Sequence, residues 1–261
     1  MISFTSAQLT AWLAAFIFPL ARILALVASA PILGNRQIPA RIKVALAFMI
    51  TVVIAPTVEV PAGLDPASAQ GILVLIQQIL AGLTMGFAMR LIFTAVEMAG
   101  DLAGMQMGLG FASFYDPQNA TYLPVIAQFM GILTVLTFLA MDAHLYLIAA
   151  LAESFHSFPI GASVHSATAF QTLVAWGGSI FSHALQLSLP LIGALLITNL
   201  ALGILTRSAP QLNVFAVGFP ITLSVGFAAL VLTLPYLAPL LGTFVQEGLD
   251  VISRMAQQAG K

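Results

Sequence analysis

The side chains able to do chemistry are few and scattered. Eight Lys/Arg, nine Asp/Glu and four histidines are spread over 261 residues, and cysteine is absent. Without cysteine there is no thiolate nucleophile, no disulfide and no Cys-ligated metal. His144, His156, His165 and His183 form neither an HxxxH pair nor an HExxH motif, and no glycine-rich phosphate loop occurs. His144 beside Asp142 and His156 near Glu153 read as solvated residues of a hydrophilic connector around 142–163. No catalytic constellation, metal or cofactor is expected, and the chain does not read as an enzyme.

One group of charges has a shared direction. At about 100° per residue, Glu97 lies roughly 20° from Arg90 around a helix and Asp101 roughly 40° further. Ionisable groups inside membrane segments are costly and mark an aqueous path, a proton relay or a buried pair. Alternatively, Gly100 and Gly104 end the helix nearby and leave Glu97 and Asp101 in water. Both readings stay open at this point. Gly100, Gly104 and Gly108 recur every four residues with Ala99 and Ala103 beside them, a spacing that lets two helix backbones approach closely. That packing serves either the chain itself or another subunit.

The stretch 106–120 joins this glycine-rich end to an Asp116-Pro117 turn followed by Gln118-Asn119. Phe111, Phe114 and Tyr115 crowd it with aromatics. An apolar loop of this length cannot leave its backbone groups unpaired in lipid, so it is expected inside protein or lining a cavity. An interfacial aromatic belt is the plain reading; a loop that closes a pore is the sharper one. Further on, Arg207, Pro210, Gln211 and Asn213 form a polar tip between two long apolar segments, which reads as a helical hairpin.

The elements that must hold these residues follow from composition. The chain is 60% hydrophobic and 7% charged with net charge −1, and its mean hydropathy is +1.04. A soluble domain carries about 25% charged residues, so a soluble monomer is excluded, as are intrinsic disorder and a basic nucleic-acid binder. No Asp, Glu, Lys or Arg occurs between Asp65 and Arg90, Asp116 and Asp142, Glu153 and Arg207, or Arg207 and Glu247. A membrane-crossing helix needs about 20 apolar residues, so the longest interval has room for two spans. With segments around 8–33 and 42–58, about six long apolar helices are expected. The runs are continuous rather than alternating, which argues against strands. The fold class expected is all-α, polytopic and membrane-integral.

Ala28-Ser29-Ala30 resembles a cleavage site, but Arg22 falls inside the apolar run and no basic residue precedes it. A retained first helix is therefore expected. Arg36, Arg41 and Lys43 mark the 34–43 connector as cytoplasmic, and Arg207 marks a second cytoplasmic connector, while Glu59 and Asp65 sit in an outer one. Pro190, Pro220, Pro235 and Pro239 fall within or near apparent helices. Each frees a carbonyl that lipid cannot satisfy, which points to helices packed in an assembly.

Three blocks carry a family resemblance: Gly34-Asn35-Arg36 with Ile38-Pro39 and Arg41-Ile42-Lys43; Gln106-Met107-Gly108-Leu109-Gly110-Phe111-Ala112 with Asp116-Pro117; and Arg207 with Pro210-Gln211-Leu212-Asn213-Val214-Phe215 and Gly218-Phe219-Pro220. Together they resemble, over essentially the whole chain, the FliR family of the bacterial flagellar type III protein-export gate. Injectisome export proteins share the Pro-Gln-Leu-Asn-x-Phe core, and Gly218-Phe219-Pro220 is more similar to the flagellar branch. The resemblance implies a non-enzymatic, pore-forming inner-membrane subunit of the flagellar basal body, through which unfolded flagellar proteins pass.

It also implies assembly with FliP and FliQ subunits and association with FlhB and FlhA. By the same likeness, residues 1–165 are FliP-like and include a plug loop at 106–122, where Phe111, Phe114, Tyr115, Asp116 and Pro117 supply closure. Residues 166–261 are a FliQ-like hairpin whose Arg207–Asn213 tip meets FlhB. An ion-coupled small-molecule transporter using Arg90, Glu97 and Asp101 is the competing class. Such transporters often carry an internal repeat, which this sequence lacks.

Overall fold

The computed structural model describes residues 5–110, 124–162, 167–211 and 213–260. Seven α-helices and no strand occur among the described residues. They are α1 (Ser6–Ser29), α2 (Ala40–Ile54), α3 (Ala69–Gln106), α4 (Val125–Ala140), α5 (Ala143–Ser157), α6 (Ala167–Ser208) and α7 (Val214–Ala259). A 3-10 turn, Ala55–Thr57, extends α2. Five helices are long and apolar enough to cross a membrane, or six if the broken pair α4 and α5 counts as one span. The all-α, polytopic architecture expected from the apolar runs is thus present.

Local sequence explains most boundaries. α1 opens on a capping box: Gln8 N donates to Thr5 Oγ1 (3.3 Å) and Thr5 N to Gln8 Oε1 (3.1 Å). α2 begins after Pro39. α4 and α5 are separated at Met141-Asp142, where Asp142 takes a left-handed conformation, φ 55°, which an aspartate tolerates better than most residues.

Two expectations are corrected. The interval from Glu153 to Arg207 does not hold two spans: after the end of α5 it carries one helix, α6, of 42 residues. Pro190 sits inside α6, because losing one backbone donor does not stop a helix flanked on both sides by leucine and alanine. The connector around 142–163 is for most of its length α5, so His144 and His156 are helical. Ala143–Ser157 is rich in Ala and Leu, strong helix formers, and it buries Leu147, Leu151 and Phe155 at i, i+4 and i+8.

The chain folds into two compact units: residues 1–91, 142–178 and 245–261 form the first, and 92–141 with 179–244 the second. Each draws on residues from both the 1–165 and the 166–261 parts. The first unit is centred on Phe18, Ile23, Leu26, Met89, Leu151 and Ile252, and the second on Ile92, Leu195 and Phe244.

Burial is uneven. In the most apolar stretches of α1 and α3, 44% and 39% of residues are buried; in α6 and α7 the shares are 11% and 17%. At 1.5 Å per residue, the 42 residues of α6 and 46 of α7 run roughly 63 and 69 Å. The hydrocarbon core of a bilayer is about 30 Å thick. A helix of that length would need to tilt by about 60° to fit wholly inside it.

Candidate functional site

In the first unit, the packing of α1 on α3 is set by small residues. Gly82 and Gly86 lie one turn apart on α3. A Cβ at Gly82 would strike the Arg22 carbonyl oxygen, and one at Gly86 the Ser29 Oγ and the Ala30 backbone nitrogen. The two backbones therefore touch, the geometry that small residues at i and i+4 permit. Gln78 lies one turn further along the same face of α3.

This approach delivers Arg22, fully buried in the middle of α1. Its Nε donates to Gln78 Oε1 (2.8 Å), Nη1 to Ser154 O (2.9 Å) and Ser154 Oγ (3.1 Å), and Nη2 to Phe158 O (2.9 Å). The guanidinium stacks over the Phe155 ring at 4.2 Å and lies 5.3 Å from that of Phe158. All its acceptors are neutral. Two are carbonyls at the C-terminal end of α5, where the helix dipole presents partial negative charge, so a helix end does the work of a counter-ion. Nearby, Gln77 Oε1 and Gln78 Nε2 are buried without a hydrogen-bond partner. Gln77 and Arg22 line a largely apolar cavity of about 90 Å³. Trp176 Nε1 donates to Ala88 O (2.8 Å), tying α6 to α3 in the same unit.

The second unit pins the start of the 106–122 stretch. Gly100 lies against the α4 backbone: its Cβ would come 2.5 Å from Ala127 Cα and 2.8 Å from Ala127 N. Met107 is fully buried. Its side chain covers Gly226 of α7, and Thr222 Oγ1 donates weakly to its carbonyl (3.4 Å). Phe93 packs edge-on against Phe138 at 5.3 Å, and His183 stacks on Phe244 at 4.0 Å. His183 is thus a packed interior residue.

The sequence-derived residues fall as follows. Arg90 and Glu97 are exposed on α3 and Asp101 is half-buried; each has an interaction partner. α3 runs unbroken to Gln106, so all three charges lie within a helix and Gly100 does not end it. The three glycines do different work. Gly100 makes the backbone contact, Gly104 meets only the Ile126 side chain at 3.6 Å, and Gly108 turns the chain after α3 with φ 86°. Phe111, Phe114, Tyr115, Asp116 and Pro117 lie outside the described residues.

At the tip, Arg207 is exposed in the last turn of α6, and Pro210 and Gln211, both exposed, lie in the turn that follows. Asn213 caps α7, its Oδ1 accepting from Ala216 N (3.3 Å). Among the described residues, no group of three His, Asp or Glu is placed to hold a metal. The chemistry available here is close helix packing.

Sequence reasoning treated Arg22 only as an obstacle to a signal peptide and passed over Gln78, Gly82 and Gly86. The signals were present: a lone arginine within an apolar run, and Gly-x-x-x-Gly with a glutamine one turn earlier.

Residues 13–248 match the family model of bacterial export proteins, family 1. The chain is 44% identical over 259 residues to the flagellar biosynthetic protein FliR of Pectobacterium carotovorum subsp. carotovorum, covering 99% of this chain and 98% of that one. It is 45% identical over 240 residues to FliR of Escherichia coli strain K12, covering 92% and 91%. With FliR of Bacillus subtilis strain 168 it shares 31% over 220 residues, covering 83% and 85%.

Proposed function

The chain belongs to the bacterial export proteins, family 1, and on that premise we propose that it is a non-catalytic, pore-forming membrane subunit of the flagellar type III export gate. It sits in the bacterial inner membrane within the flagellar basal body and helps form the conduit for unfolded flagellar proteins. FliP and FliQ subunits are its neighbours in the gate, with FlhB and FlhA associated. No cofactor takes part, and the energy for export comes from elsewhere in the apparatus.

The observation that carries this reading is the mismatch on α6 and α7. The uncharged part of α6 is roughly twice, and that of α7 more than one and a half times, as long as the hydrocarbon core is thick, and their most apolar stretches are scarcely covered by the chain itself. Protein is the other apolar solvent available. Packing against sister subunits around a shared pore covers such faces above and within the bilayer, whereas a self-sufficient transporter would bury them internally.

In this reading the aromatics Phe111, Phe114 and Tyr115 stop the pore, and Asp116-Pro117 shapes their turn. Met107 and Gly100 hold the near end of that loop, and Arg207, Pro210, Gln211 and Asn213 offer the cytoplasmic tip to FlhB. Arg90, Glu97 and Asp101 form a charged strip along α3.

Two measurements test it. In mild detergent the chain is expected to co-purify in a complex with FliP and FliQ and to be unstable without them; a stable, monodisperse monomer would overturn the assignment. Deleting 110–116 in the assembled gate is expected to raise ion conductance across the membrane. Unchanged conductance, with the complex still intact, removes the plug.

A further inference from the structure

The 34–43 connector and α2 carry a second pattern that the export reading leaves unused. No Asp or Glu precedes Glu59, whereas Arg36, Arg41 and Lys43 fall within ten residues. Lys43 is occupied, its Nζ donating to Gly34 O (3.0 Å). Arg36 and Arg41 are exposed, and neither pairs with a carboxylate among the described residues.

α2 is divided lengthwise. Ala47, Thr51 and Ile54 are buried, while Arg41, Ala45, Phe48 and Val52 are exposed at i, i+4, i+7 and i+11, one continuous strip on the opposite side. Ile42, Met49 and Val53 widen it, at 57%, 66% and 75% exposure. A cation thus stands at the head of a largely uncovered apolar strip, within which the Phe48 ring also meets Phe16 of α1 at 5.2 Å, and the helix start, which no side chain caps, adds the positive end of its dipole there.

The dimensions fit one lipid leaflet. From Arg41 to Val52 the helix rises roughly 16 Å, against about 15 Å for half the hydrocarbon core. An acidic peptide would use the cations and leave the apolar strip uncovered. A neighbouring apolar helix would cover the strip and strand the cations. An anionic phospholipid satisfies both at once.

We propose that α2 and its basic connector bind an anionic phospholipid, the headgroup phosphate at Arg41 with Arg36 adding charge, and an acyl chain along Ala45, Phe48 and Val52. The inference needs only that the chain is embedded in a bilayer; it stands or falls independently of export.

The test uses the chain as it purifies from membranes, with whatever subunits accompany it. After delipidation it is offered equimolar phosphatidylglycerol and phosphatidylcholine in mixed micelles, and retained lipid is counted by native mass spectrometry. Phosphatidylglycerol is expected to be preferred, and the preference to fall about tenfold or more in Arg36→Gln/Arg41→Gln, since each cation near an anionic surface contributes about fivefold. If that variant does not accumulate, the wild-type preference must instead drop steeply between low and about 1 M salt, where screening shortens to about 3 Å. A photo-crosslinker replacing Met49 is expected to label lipid. No preference in the wild type, an undiminished preference in the variant or at high salt, or labelling of polypeptide at Met49 would each overturn the proposal.

Discussion

Replacing Arg22 by methionine gives the sharpest view of how the first unit is held. Methionine keeps much of the side-chain volume, so the loss is mainly polar. Ser154 O keeps the Phe158 backbone N–H as a donor, and the Ser154 hydroxyl still donates to Leu151 O. Gln78 Oε1 and Phe158 O, by contrast, are left buried with nothing to accept from. At about 1–3 kcal/mol per orphaned group, the substitution costs about 2–6 kcal/mol, with the lost stacking on Phe155 adding about 1 kcal/mol. The second substitution, Gln78→Leu, should change sign with context. In the wild type it strips a buried guanidinium of its Nε acceptor and destabilises; in the Arg22→Met background it removes two unpaired polar atoms and restores about 1–3 kcal/mol. The assay is a double-mutant cycle on the apparent melting temperature and protease resistance of the purified chain in detergent. An Arg22→Met variant as stable as the wild type, or an equal cost for Gln78→Leu in both backgrounds, would refute this account of Arg22.

Other substitutions separate contacts that look alike in sequence. Gly100→Val drives a side chain into the Ala127 backbone and should sharply lower both stability and membrane accumulation. Gly104→Ala meets only ordinary contact at 3.6 Å and should be neutral or stabilising by up to about 1 kcal/mol through helix propensity; equal effects of the two on the melting temperature would contradict the difference between them. Trp176→Phe loses the bond to Ala88 O and should cost about 1 kcal/mol with little change in near-ultraviolet packing signals from the second unit. Asn213→Ala removes the α7 cap and should cost about 1 kcal/mol, seen as faster hydrogen exchange confined to the first turn of α7.

What the sequence made legible is what depends on composition and on unbroken runs. The near absence of charge over 154–206 required a membrane helix there whatever the packing, and the Pro210-Gln211-Leu212-Asn213 tip could only separate two helices. The interval had room for two spans only by a 20-residue rule, which supposes that the bilayer sets helix length. α6 instead runs unbroken for 42 residues, so the rule does not mark its ends. The same supposition turned 142–163 into a connector: Asp142, Glu153 and two histidines look like loop composition only if charged residues must be off the helix. α5 keeps them and buries Leu147, Leu151 and Phe155 on its other side.

The Arg22 junction was hidden for a different reason. A lone arginine in an apolar run announces that something must receive it, but besides Gln78 the receivers are two backbone carbonyls and a hydroxyl more than 130 positions away, and backbone carbonyls leave no mark in the amino-acid letters. An acidic counter-ion would have been visible as a charge pair; a helix end is not. Gly82 and Gly86 are readable only once the partner helix is known, because their role is to let Gln78 reach Arg22 rather than to do anything themselves. The α3 stripe at Gly100, Gly104 and Gly108 shows the converse error, since equal spacing suggested one shared role. A Cβ is forbidden at the first by a neighbouring backbone and tolerated at the second by a side chain, and the third serves a left-handed turn. In a protein that exposes so many large hydrophobic side chains, hydrophobicity alone does not mark the core, and the rare polar and small residues mark how closely its helices must fit.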